Sequence, residues 1–90
     1  MALVIETSVT ANVRASAIWY FYSVITSDLS IQLQIARAMR DDPENFVRQI
    51  AAVVLQQLKP NHSEVRALIV DAFIKENDPH IKKIIEGLLR

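Results

Sequence analysis

His62 and His80, together with the acidic cluster Asp41, Asp42 and Glu44, are the residues of this 90-residue chain whose types could do chemistry. An imidazole serves as general base or metal ligand near neutral pH, and adjacent carboxylates bind hard cations. The spacing argues against both uses. Each His lies in a different turn, with no second ligand at helical spacing on the same helix. The three acids flank Pro43, where carboxylates cap the first turn of a helix. There is no Cys, hence no thiolate ligand, cysteine nucleophile or disulfide. The single Gly87 lies inside a helical stretch, so no Gly-rich phosphate loop exists, and no Ser, His and Asp stand in recognisable catalytic context. The reading is a protein that is not an enzyme and takes no cofactor and no metal.

Charge excludes another class. Ten basic and ten acidic residues cancel and are interspersed, so the chain has no electrostatic footprint for a phosphate backbone, and nucleic acid is not the expected partner. The chain opens with Met1-Ala2-Leu3-Val4-Ile5 and no basic residue, then meets Glu6. Its richest apolar run, 17–25, is too short to span a bilayer. The expectation is a soluble, cytoplasmic protein that engages no membrane.

The aromatic run Trp19-Tyr20-Phe21-Tyr22 is the remaining unusual feature. Four consecutive rings on a helix point in all directions and cannot share one core stripe. Some must face outward, where a ring buries a large area at low entropic cost against a protein partner.

The elements that position these residues follow from a recurrence. Val13-Arg14, Val47-Arg48 and Ile81-Lys82 are each 34 residues apart, and the same shift pairs Ile31 with Val65, Ile35 with Ile69, Ala51 with Ile85 and Leu55 with Leu89. Each set has i, i+3 or i+4 spacing, the mark of a helical stripe, and a period of this length in a Gly-poor chain is that of stacked helical hairpins. Asp41-Asp42-Pro43 and Asn77-Asp78-Pro79 break the helices within each unit, and Pro60-Asn61-His62-Ser63 separates the units. The expected fold is all-α, a short run of helical hairpins or a five-helix bundle. Its parts are an extended N-terminal segment in 1–9, a lone helix near 10–26 and hairpins over 29–59 and 63–90, with helices near 29–40, 44–59, 63–76 and 79–90.

The stretch Asp42-Pro43, then Val47-Arg48, then Ala51, Ala52, Leu55 and Leu58 resembles the second helix of a HEAT repeat with its preceding turn. The resemblance covers about residues 10–90. It implies an α-solenoid fragment in which the Asp and the Arg form a ladder bridging successive repeats. Here that assigns Asp42 with Arg48, and Glu76 with Lys82 in the next unit, while Arg14 lacks an acid at the matching place, which Ser8 occupies. It also implies that second helices line a concave surface that holds protein partners.

Continuing the alignment gives outward rows of Ala15, Gln49 and Lys83, of Ile18, Ala52 and Glu86, and of Tyr22, Gln56 and Arg90. Phe21 and Tyr20 align with core Leu55 and Val54. The expected partner-binding residues are therefore Ile18, Trp19, Tyr22, Gln49, Gln56 and Lys83. The functional expectation is a small protein–protein interaction module that self-associates, most simply as a dimer, because both ends of so short a stack are apolar. The alternative is an accessory or regulatory subunit of a larger enzyme or chromophore-handling complex, built on a helical bundle without repeats.

Overall fold

The computed structural model describes residues 10–24 and 28–90, with side chains for all of these except 21–24. It is all-helical over the described residues. The extended segment expected in 1–9, and the side chains of Phe21 and Tyr22, lie outside them.

Five helices follow in order: α1 Ala11–Val24, α2 Leu29–Asp41, α3 Asn45–Leu58, α4 Ser63–Lys75 and α5 Pro79–Leu88. Their starts are set by side chains that satisfy the open first-turn N–H groups. Asp28 accepts from the N–H groups of Ser30 and Ile31, and Asp78 from those of His80 and Ile81. His62 does the same for α4, its Nδ1 accepting from Glu64 at 3.2 Å. A histidine read as a possible ligand is thus a helix cap, at the place that Asp28 holds one unit earlier. Pro79 begins α5, where its missing N–H costs no bond.

The helices end by an equally regular device. Asp42 and Glu76 have extended backbone, and their N–H groups donate to the carbonyls of Ala38 and Ala72. The unit boundary is different: Lys59 closes α3 in the left-handed region, with φ of 51°, just ahead of Pro60.

The packing is in two layers. α1 lies on α3 and α3 on α5, while α2 lies on α4; within each hairpin α2 packs on α3 and α4 on α5. The Cα extents are 29 × 25 × 17 Å, and the short dimension is that of two helix layers about 10 Å apart. Ile35 and Met39 of α2, Val47, Val54 and Leu55 of α3, and Ile81 and Ile85 of α5 are buried at this seam. Each such side chain contributes about 1.5–3 kcal/mol of burial.

Burial along each aligned row shows which way that row points. Ile18 and Ala52 are fully buried while Glu86 is exposed, as follows if the row faces the next odd-numbered helix and α5 has none beyond it among the described residues. Ile18 is therefore a core residue between α1 and α3, and not a surface one as the alignment suggested. Ala15, in the row of Gln49 and Lys83, is also buried. The opposite pattern holds at the other edge. Val13 is 48% exposed where Val47 and Ile81 are buried, and Tyr20 is 49% exposed where Val54 is buried. That row faces the preceding even-numbered helix, and α1 has none among the described residues. Tyr20, expected in the core, is half-exposed for this reason.

Candidate functional site

The arginines and carboxylates expected to form a ladder do engage in ion pairs, but with different partners from those expected. Arg14 of α1 donates from Nε to Asp42 Oδ2 at 2.6 Å and from Nη2 to Oδ1 at 3.0 Å. Arg48 of α3 donates from Nε to Glu76 Oε1 at 2.9 Å and from Nη2 to Oε2 at 3.2 Å. Each rung reaches 28 residues ahead, from an odd-numbered helix to the turn of the following unit. Asp42 is thus the partner of Arg14, and Glu76 of Arg48. Arg48 touches Asp42 only at its main-chain carbonyl, at 2.8 Å. Arg14, for which no acid was assigned, has one.

Lys82 is not part of a rung. Its ammonium sits 4.8 Å from the centroid of the Phe73 ring on α4, at cation–π range.

Each rung carboxylate has a second duty. Asp42 Oδ1 accepts from the Glu44 N–H at 3.0 Å and Glu76 Oε2 from the Asp78 N–H at 3.1 Å, so the acid fixes the turn and the arginine fixes the acid. The acids are nearly enclosed, with side-chain exposures of 5% and 2%. Forked, enclosed pairs of this kind are the strong class of ion pair, and leaving one member alone is costly. The bond to Asp42 raises the affinity of the Arg14 guanidinium for its proton above the ordinary arginine value.

The two turns enclose an open cleft of about 240 Å³, lined by Arg40, Asp41, Asp42, Pro43, Arg48, Lys75, Glu76 and Asn77. Its charges are mutually engaged. Arg40 pairs with Asp41 at 2.9 Å and with Asp71 at 3.6 Å, and Lys75 reaches Asp41 at 2.9 Å. The bond from Arg40, then that from Lys75, holds the Asp41 carboxyl below the usual aspartate range against partial desolvation. A cleft whose acids and bases neutralise one another offers cohesion rather than a nucleophile or a poised base. Among the described residues no group of three or more His, Asp or Glu side chains could hold a metal ion. None of their helices is long and apolar enough to cross a membrane.

The surface that remains is the outer face of α1, α3 and α5. Trp19 is 44% exposed and Phe46 is 40% exposed. Ile50 and Val53 follow Phe46 at i+4 and i+7 on α3, Ile84 holds the place of Ile50 on α5, and all three are half-buried. Of the residues expected to bind a partner, Gln56 and Lys83 are exposed. Gln49 is half-buried beside α5, its Nε2 lying 3.4 Å from His80 Nε2. Tyr22 lies outside the described side chains. Phe46 was missed by the sequence reading, although its row, Asn12, Phe46 and His80, is polar in the other two units and so marks an apolar residue facing outward.

Comparison of the chain with protein-family models, with curated proteins and with solved structures gave no match.

Proposed function

We propose that this chain is a HEAT-like helical-repeat interaction module that holds a protein partner on the outer face of α1, α3 and α5, and that it self-associates through an end of its stack. The observation that carries this reading is the recurrence of the rung. Arg14 with Asp42 and Arg48 with Glu76 are the same bidentate contact one unit apart, each tying an odd-numbered helix to the next turn. Such ties keep neighbouring odd-numbered helices side by side as a rigid platform. A platform bearing Trp19 and Phe46 over aliphatic Ile50 and Val53, edged by Gln56 and Lys83, has the make-up of a protein-binding patch: aromatic anchors with a polar rim.

The test is affinity capture from a lysate of the source cells by immobilised full-length chain, with Trp19→Ala, Phe46→Ala and Glu64→Ala in parallel. Glu64 is exposed on α4, away from the platform. The reading expects a captured protein that is lost with the first two variants and retained with the third. Equal capture by all three contradicts it.

A further inference from the structure

We infer that the outer stripe of α4 is a twofold self-association surface, on which Ala67, Val70 and Ile74 of one copy meet the same residues of a second copy in antiparallel register. The inference rests on the self-association proposed above but not on partner capture.

The starting point is the face of α2 that α4 covers. At the 34-residue shift, Ala36 of α2 corresponds to Val70 of α4, and Arg40 to Ile74. Ala36 is fully buried, whereas Val70 is 39% and Ile74 is 73% exposed, the latter the most exposed of the large apolar side chains described. Ala67, at i−3 from Val70 on the same stripe, is exposed as well. A helix face that is covered in one unit stands bare and apolar in the next.

Charge excludes the simplest occupant, another unit of the same type. α4 meets α2 through two ion pairs, Asp71 with Arg40 and Lys75 with Asp41. On α4 the equivalents of Arg40 and Asp41 are Ile74 and Lys75. A following helix patterned like α4 would set its acid against Ile74 and its lysine against Lys75, a desolvated charge and a like-charge pair.

Shape and polarity favour a second copy. In an antiparallel pair centred near Val70, Ala67 lies across from Ile74 of the partner copy, and Ile74 across from its Ala67. Small meets large in both directions, as interlocking helix ridges require. The stripe itself carries no charge; Asp71 at its edge comes near its own copy across the twofold, but each Asp71 is paired with Arg40 of its own chain, and a patch that is its own complement is what a closed twofold dimer needs. The contact is small beside a standard interface, so its dissociation constant should be weak, on the order of 0.1 mM.

The experiment is sedimentation velocity on the full chain from ~10 µM to ~1 mM, spanning that constant, together with cysteine cross-linking, for which the natural chain has no competing Cys. The expected result is a mass rising toward twice that of the chain, and a return to the monomer mass in Ile74→Arg with circular dichroism and melting unchanged. Under oxidising conditions Val70→Cys should cross-link, because a disulfide needs the two Cα atoms within about 7 Å, while Gln57→Cys on α3 should not. Should Ile74→Arg fail to fold, the Val70→Cys result decides. A chain that stays monomeric throughout overturns both this inference and the self-association reading. A dimer that survives Ile74→Arg, or that cross-links at Gln57→Cys and not at Val70→Cys, overturns this inference alone and places the contact elsewhere.

Discussion

Arg48 grips both carboxylate oxygens of Glu76 while its Nη1 donates to the main-chain carbonyl of Asp42. One guanidinium therefore spans two hairpin turns, the one that launches its own helix α3 and the one that launches α5. Five donors in a fixed fork make this possible, and a lysine ammonium could not reproduce it. The position after the last matched rung arginine holds Lys82, which turns instead to Phe73.

The cost of breaking a rung should far exceed that of breaking a surface pair. Arg14→Ala leaves Asp42, whose side chain is 5% exposed, without its cation, and should destabilise the fold by ~3 kcal/mol or more. Arg90→Ala removes a pair whose members are 78% and 51% exposed, and should cost under ~1 kcal/mol. Urea melts of the two variants give the comparison. Similar midpoints would mean that the rung contributes no more than a surface contact.

Gln34 marks a place where the fold is weaker than it need be. It is buried, and its Oε1 has no hydrogen-bond partner, whereas the aligned residue of the next unit is Leu68. Gln34→Leu should raise stability by ~1 kcal/mol or more, since an unsatisfied buried acceptor is removed and apolar area is added. A thermal melt at neutral pH reads it, and a lower midpoint would show that the amide is serving a purpose.

Most of the helical framework was legible in the sequence because its determinants are local. Pro43 and Pro79 break the helices, Asp28 and Asp78 cap them, and the i, i+3, i+4 pattern sets their inner faces. His62 shows the limit of this legibility: an imidazole does not look like a cap until its unit is laid over Asp28. The rungs were legible as residue types but not as pairs. Asp42 and Arg48 are six positions apart, which makes them look like partners, whereas the Arg48 side chain leaves its own unit and finds Glu76 across the stack. Direction along the stack was lost in the same way. Ile18 shares a row with exposed Glu86, and only the neighbour that α1 has and α5 lacks separates core from surface.

Asp41 carries the pH dependence that can be assigned. Its carboxyl is held below the usual aspartate range, first by Arg40 and then by Lys75, so it binds its proton less readily folded than unfolded. Its stabilising effect is therefore complete above the unfolded value of ~3.9 and is lost as the pH falls through the lower folded value. Asp41→Asn should be less stable than the natural chain at pH 7, with the gap closing below about pH 4. Because Asp41 is 45% exposed, the gap should also narrow in high salt. Urea midpoints between pH 7 and pH 3 measure both effects, and a gap that widens on acidification contradicts the assignment.

The most direct test of the stacked architecture asks which acid Arg48 depends on. Two double-mutant cycles in urea share Arg48→Met, one combined with Glu76→Gln and the other with Asp42→Asn. Rungs that run from one unit to the next predict a coupling of ~1.5–3 kcal/mol with Glu76 and under ~0.5 kcal/mol with Asp42, whose carboxylate belongs to Arg14. Coupling to Asp42 with none to Glu76 would put the pair back inside a single unit and contradict the account.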